Sequence, residues 1–190
     1  YAELILLASS ILKNIVPKQQ FKLHINSLGD KDTLKLFKLD LSSFFNKYKN
    51  DLSEDSKRKI DTNPLRILDS KNLKDIEICK DAPNIKNLYS SDAKKKFEDV
   101  QSLLTETNIP FIVDNGLVRG LDYYCHTVFE FKNDNLGSQD TVIGGGRYDG
   151  LIKMIGGPDL PGVGWAGGID RLMLLMESPK EKMIKNHLIV

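Results

Sequence analysis

The chain has 190 residues and 41% hydrophobic content, enough to fill one core or part of a larger one, and its 27 basic and 26 acidic residues nearly cancel. That balance excludes an overall field recruiting nucleic acid or an anionic membrane, while leaving room for a local basic face. Cys79 and Cys125 form no CxxC pair and have no histidine at zinc-type spacing, which argues against a disulfide scaffold or a structural zinc and points to a reducing cytoplasm.

The opening "AELILLASSIL" carries no basic leader or small-residue cleavage site and is too short and polar-interrupted to span a bilayer; it predicts a core helix over 2–16, closed by Pro17. Phe21, Leu23 and Ile25 then alternate with polar neighbours in "FKLHINSLGD", a strand before a turn. From Lys31 to about Ser102 the composition shifts. Lysine-rich amphipathic stretches, "DTLKLFKLDLSSFFNKYKN" and "SDAKKKFEDVQSLLTET", surround the turn-rich "TNPLRILDSKN" and predict a helical module inserted between strands. Short β-rich runs follow, "IPFIVD", "TVFEF" and "DTVIGGG", with helical patterns in "RYDGLIKMIGG" and "IDRLMLLMESP". Closely spaced strands with hairpin-length gaps, framed by helices, argue for an α+β fold on an antiparallel sheet rather than a βαβ alternation. The start at Tyr1 without a methionine, and the end in "HLIV", predict a piece of a longer protein.

Several short motifs bear on chemistry. "GVGWAG" matches G-x-G-x-x-G, but the preceding "GGPDLP" holds Pro158 and Pro161, which cannot donate to the strand that a dinucleotide-binding turn requires. Its glycines serve better as strand positions where a flat ligand lies against the backbone, with Gly167 and Gly168 leading into the helix that carries Arg171. That guanidinium can stack on a base and face phosphate oxygens, or simply pair with Asp170 or Glu177. "GGGRYDGL" lacks the Lys-Ser/Thr ending of a P-loop. Gly144, Gly145 and Gly146 permit close approach of a substrate while Arg147 and Tyr148 open the next helix; an ordinary strand-to-helix turn explains the same residues equally well.

"GLVRGLDYYCHTVFEF", residues 116–131, presents Arg119 and the pair Tyr123 and Tyr124 beside a strand start. A permanent cation with a planar fork and a phenol with one polar tip suit a small zwitterion and an anion; the alternative is core tyrosines and an Arg119–Asp122 surface pair. Adjacent strand side chains diverge, so one tyrosine is expected to support rather than touch a ligand, and Cys125 and His126 are not expected to form a catalytic dyad. His24 and His187, isolated in apolar runs, read as packing or hydrogen-bonding residues.

Together these stretches resemble the histidyl-tRNA synthetases, a class II aminoacyl-tRNA synthetase family. "LVRGLDYYCHTVFEF" and "GGGRYDGL" are similar to its two histidine-specific motifs, and "GVGWAGGIDRLMLL" to class II motif 3, with "TNPLRILDSKN" and "LHINSLGD" in matching places. The resemblance implies a class II antiparallel sheet with a helical insertion, divided as core segment 1–30, insertion 31–102, core 103–185 and the start of an anticodon-binding domain at 186–190. It implies a catalytic Arg119 that contacts the histidine carboxylate and the α-phosphate of ATP. Tyr123, Tyr124, Gly144, Gly145, Gly146, Arg147 and Tyr148 would form the histidine pocket, and Gly168 and Arg171 would join Arg119 in binding ATP. It further implies ATP with Mg²⁺, no protein-bound metal, tRNA(His) as partner, a cytoplasmic homodimer, and motifs 1 and 2 lying before Tyr1. Lys57, Arg58 and Lys59 would touch the acceptor stem, or form a solvated helix face. Asp170 departs from the family's usual glutamate, and Cys125-His126 occupies a variable pair. A non-catalytic regulatory or amino-acid-sensing relative is the competing expectation.

Overall fold

The computed structural model describes residues 1–121 and 123–176. Among the described residues, five strands form one sheet in the order β2-β1-β3-β4-β5. They are β1 (Lys22–Ser27), β2 (Phe111–Val113), β3 (Cys125–Lys132), β4 (Thr141–Arg147) and β5 (Val163–Gly167). The antiparallel expectation holds for β1/β3, β3/β4 and β4/β5, but β1 and β2 run parallel. The sheet is therefore mixed, because the chain between these two strands is long enough for the crossover that a parallel pair needs. "GVGWAG" lies largely in β5, antiparallel to β4, so the strand–turn–helix of a dinucleotide fingerprint does not exist here.

The register sorts residues onto two faces, since directly paired residues share a side. Leu23, Ile25, Phe129, Phe131 and Ile143 point to one face, where α1 (Ala2–Ile15) brings Ile5, Ala8 and Leu12 and α5 (Ser91–Glu106) brings Phe97, Val100 and Leu104. These spacings of three and four put one apolar stripe of each helix on the sheet. α5, grouped with the insertion by its lysines, thus packs in the sheet's core. His24, Asn26, Val128, Glu130, Gly144 and Gly146 point to the opposite face.

The insertion covers part of that second face. α2 (Lys31–Lys47) buries Thr33, Phe37, Leu41 and Phe45 at fourfold spacing, and Asp30 caps it by accepting from the Thr33 N–H at 2.8 Å. α3 (Glu54–Lys59), α4 (Leu73–Cys79) and 3₁₀ turns over Pro64–Ile67 and Ile85–Leu88 complete the module. Its core includes Leu117, Val118, Tyr124 and Val128, so it is continuous with the sheet. Asp30 also accepts from the Ser90 hydroxyl at 2.5 Å, tying the module's entry to its exit. That bond, with the one from the Thr33 N–H, holds the Asp30 carboxyl at about 2.

Asp75 is fully buried and organises the module. It accepts from the Ser53 N–H at 2.8 Å and from the hydroxyls of Ser53, Ser56 and Ser70, each at 2.7 Å. Burial alone would raise its carboxyl, but these four donors outweigh it and hold the group at about 2 against an ordinary 3.8. The folded value lies below the unfolded one, so the contribution is complete above the ordinary value and lost as pH falls toward 2. Asp75→Ala strands four donors and is expected to destabilise the protein by about 3 kcal/mol, read as a lower urea midpoint at pH 7, with the deficit relative to wild type shrinking below about pH 4.

Of the remaining elements, α6 (Leu151–Met154) is one turn, and α7 (Ile169–Leu175) exposes Ile169, Met173 and Leu174. No helix of the described residues is long and apolar enough to cross a membrane. The expectations for Asp122, Glu177, His187 and 186–190 lie outside the described residues.

Candidate functional site

The open part of the second face has a glycine floor. Gly144 pairs across to Glu130, Gly146 to Val128 and Gly164, so these glycines share a face. Gly144–Gly146 are strand residues, not a turn, and Arg147 ends β4 rather than opening a helix, which begins only at Leu151. The room above the floor is filled by the protein's own side chains. A Cβ at Gly144 would stand 2.5 Å from Arg119 Nη1; one at Gly146 would stand 3.0 Å from the Tyr124 ring, and one at Gly164 would stand 2.5 Å from the Tyr148 hydroxyl. Gly145 faces the other way, against Trp165.

Arg119 lies on this floor, held by Glu130 through Nη1. Glu130 also accepts from the Thr141 hydroxyl at 2.8 Å, with Lys132 Nζ 3.7 Å away. The side chains are 22% and 13% exposed, so the Arg119–Glu130 pair is far better shielded than a surface ion pair and counts for more. The Arg119 Cζ stands 5.6 Å from the Tyr124 ring centroid, and its Nε is buried without a partner. A buried guanidinium N–H with nothing to donate to carries a desolvation cost, while the exposed part of the group remains open to an anion.

The two tyrosines do not diverge. They precede β3, their centroids are 4.7 Å apart, and Tyr148 meets Tyr123 at 5.7 Å and Tyr124 at 6.0 Å in edge-on geometry. The alternation rule fails because this segment is not yet strand. Burial raises the Tyr124 hydroxyl, keeping it a neutral donor. Arg147 turns elsewhere: its Nε reaches Asp149 at 2.5 Å and its Cζ lies 5.5 Å from the Tyr1 ring centroid.

Cys125 and His126 also escape alternation. His126 has φ 49°, and the β3/β4 register slips between Cys125 and Val128. Cys125, His126 and Asp149 thereby bring ligand-type atoms within 4.8 Å of one another. Burial raises the thiol and lowers the imidazole, leaving both neutral, so the rejected dyad gains no nucleophile from their closeness. The Asp149 carboxylate is taken by Arg147, and Lys31, Lys96 and Arg147 set positive charge against the cluster, which suits a polar end to β3 and β4 better than a cation site.

Arg171 reaches back from α7 to the Thr141 carbonyl through Nη1 and to Gln139 Oε1 at 3.1 Å through Nη2, and does not pair with Asp170. Gly168 caps that helix, its N–H donating to the Val142 carbonyl at 2.9 Å. Arg119 and Arg171 are thus joined through Glu130 and Thr141. His24 makes the hydrogen bond expected of it, to the Asp114 carboxylate at 3.0 Å. In the insertion, Lys57 pairs with Glu54 at 2.7 Å and Lys59 with Asp55, an ion-paired helix face.

Residues 49–172 match the profile of the family described as histidyl-tRNA synthetase. The chain belongs to the histidyl-tRNA synthetase family. Within the family it is 51% identical over 181 residues to a histidine–tRNA ligase of Wolbachia pipientis wMel, covering 95% of this chain and 44% of the relative. It is 49% identical over 175 residues to that of Rippkaea orientalis, covering 92% and 41%. Among solved structures, apo histidyl-tRNA synthetase from S. aureus superposes with TM-score 0.69 at 33% identity, over 92% of this chain and 42% of that one. A Bacillus halodurans protein titled as an ATP phosphoribosyltransferase regulatory subunit/histidyl-tRNA synthetase shares the fold, with TM-score 0.56 at 20% identity, over 93% and 49%. The chain spans less than half the length of the curated relatives it matches.

Of the residues singled out in the sequence, Arg119, Tyr123, Tyr124, Gly144, Gly146 and Tyr148 come together. Arg171 and Gly168 stand at the adjoining sheet edge, and Gly145 and Arg147 face away or aside. Glu130 and Thr141 went unnoticed. A signal for Glu130 lies in the sequence: a carboxylate between Phe129 and Phe131, in a strand buried along most of its length, requires a partner.

Proposed function

We propose that the intact gene product attaches histidine to tRNA(His). The histidine carboxylate attacks the α-phosphorus of ATP, pyrophosphate leaves, and the adenylate is passed to the terminal ribose. The observation that carries this reading is the Arg119 guanidinium, fixed over Gly144 by Glu130 beside Tyr124 and still partly exposed. A carboxylate or an α-phosphate can meet that exposed part, and a fixed cation there favours the approach of two anions. Tyr123, Tyr124 and Tyr148 form an aromatic wall for the imidazole, with the hydroxyl of Tyr124 held neutral for hydrogen bonding; a pocket that pairs the ring's polar atoms rejects apolar amino acids strongly. Arg171, on the helix that Gly168 caps, is the planar cation on which adenine would stack. The reading extends to ATP with Mg²⁺, a cytoplasmic location and a homodimer. Glu130 is engaged by Arg119 and Thr141, and the roles given to these residues are derived without Mg²⁺.

The names of the relatives support ligase activity over the regulatory alternative, to which only a fold-level likeness points. Histidine-dependent ATP–pyrophosphate exchange on the intact gene product, with the other amino acids as controls, tests the choice. Exchange with histidine alone is expected; histidine binding without exchange would transfer the protein to the regulatory class.

A further inference from the structure

The loop that delivers Arg119 is held from two directions. At its start, Asn26 Nδ2 on β1 donates to the Leu117 carbonyl at 3.0 Å and to the Asn115 carbonyl at 3.4 Å. In its middle, Leu117 and Val118 are buried in the core that the insertion shares with the sheet. Beyond Arg119 the hold comes from the insertion: Arg66 Nη2 donates to the Gly120 carbonyl, and Leu121 next to it is exposed. Arg66 is itself exposed, but its backbone is anchored. It sits in the 3₁₀ turn over Pro64–Ile67, between Leu65 and Ile67, which are buried in the insertion core. Gly120 is shaped to receive it, since a Cβ there would stand 2.8 Å from Arg66 Nη2.

We propose that Arg66 is a positioning residue: by holding the Gly120 carbonyl it sets the Arg119 guanidinium over Gly144 and makes histidine activation depend on how the insertion is seated. The inference rests on the reading of Arg119 given above. Its physical basis is that Arg119 must meet Glu130 and a reacting anion within a fraction of an ångström, and that misplacement by about 1 Å can cost about 10²-fold in rate. A tether on the neighbouring carbonyl limits the backbone freedom that would allow it. The insertion then does more than cover the sheet. A ligand that shifts the turn carrying Arg66 changes the chemistry on the far side of Gly120, which is a route by which a bound nucleic acid could alter activation without touching the site.

The test uses Arg66→Met, which keeps the apolar stem, and Arg66→Lys, which keeps the charge, both in the intact gene product. Hydrogen exchange across residues 115–121 is expected to quicken in Arg66→Met while exchange across 31–90 stays as in wild type. In pyrophosphate exchange, kcat is expected to fall about 10-fold with KM for ATP within about twofold, and Arg66→Lys to recover part of the loss. Unchanged exchange in 115–121, a wild-type kcat in Arg66→Met, or a loss of protection spread evenly over 31–90 would overturn the proposal. If the wild-type protein exchanges with no amino acid, the ligase reading fails, and the hydrogen-exchange comparison alone still decides whether Arg66 holds the loop.

Discussion

Gly144→Ala is expected to leave the fold standing and to lower histidine activation about 10²-fold. The added Cβ would fall 2.5 Å from Arg119 Nη1, 2.8 Å from Nη2 and 2.9 Å from Cζ. These atoms end a flexible side chain, so the guanidinium moves and the sheet does not. Gly144 has no left-handed φ, so alanine meets no backbone strain there. The stability loss is expected to stay at about 1–2 kcal/mol, because the sheet is kept and the cost is confined to the Arg119–Glu130 pair. The displaced guanidinium, however, loses Glu130 and the alignment that the reaction requires. Gly146→Ala makes an informative contrast. Its Cβ would meet the Thr127 carbonyl oxygen at 2.8 Å, and backbone cannot step aside, so that variant is expected to lose stability along with activity. The pair is read by urea unfolding and pyrophosphate exchange on the same preparations. A Gly144→Ala protein with wild-type kcat would mean that Arg119 tolerates relocation.

Much of this arrangement was legible in the residues, and the exceptions have specific causes. Alternation in "FKLHINS" and "TVFEF" places β1 and β3 correctly because Leu23, Ile25, Phe129 and Phe131 all line the face packed against α1 and α5. Pro17 follows the end of α1 as expected. The parallel β1/β2 pair was not visible, since no local pattern reports the partner of a three-residue strand. Alternation failed where the backbone departs from strand geometry. Tyr123 and Tyr124 precede β3, and the bulge with φ 49° at His126 turns Cys125 and His126 toward Asp149. "GGGRYDG" supports close approach and a turn equally because glycine serves both; here its small size is what counts, and the occupants of the space, Arg119 and Tyr124, come from another part of the chain. For the same reason the Glu130–Thr141 link between the two arginines could be found only from the β3/β4 register.

Arg119→Ala should have the largest effect of all, a fall of about 10² to 10³-fold in the rate of adenylate formation, the usual consequence of removing a preorganised donor from developing charge. The affinity for ATP is expected to change far less, because Arg171 at the sheet edge, tied to the Thr141 carbonyl and Gln139, does not depend on Arg119 for its position. The variant also leaves Glu130 half-satisfied, with Thr141 at 2.8 Å and Lys132 at 3.7 Å as its remaining partners. Part of the deficit would then come from an uncompensated carboxylate facing the reacting anions. The double variant Arg119→Ala with Glu130→Gln separates the two contributions. If carboxylate repulsion matters, the double variant recovers activity relative to Arg119→Ala, a non-additivity that distant residues would not show. Arg119→Lys tests geometry against charge: an ammonium restores the charge but not the planar fork, and is expected to recover less than a tenth of the lost rate. A rate within about threefold of wild type in Arg119→Ala would remove this residue from the chemistry and, with it, the reason for the glycine at 144.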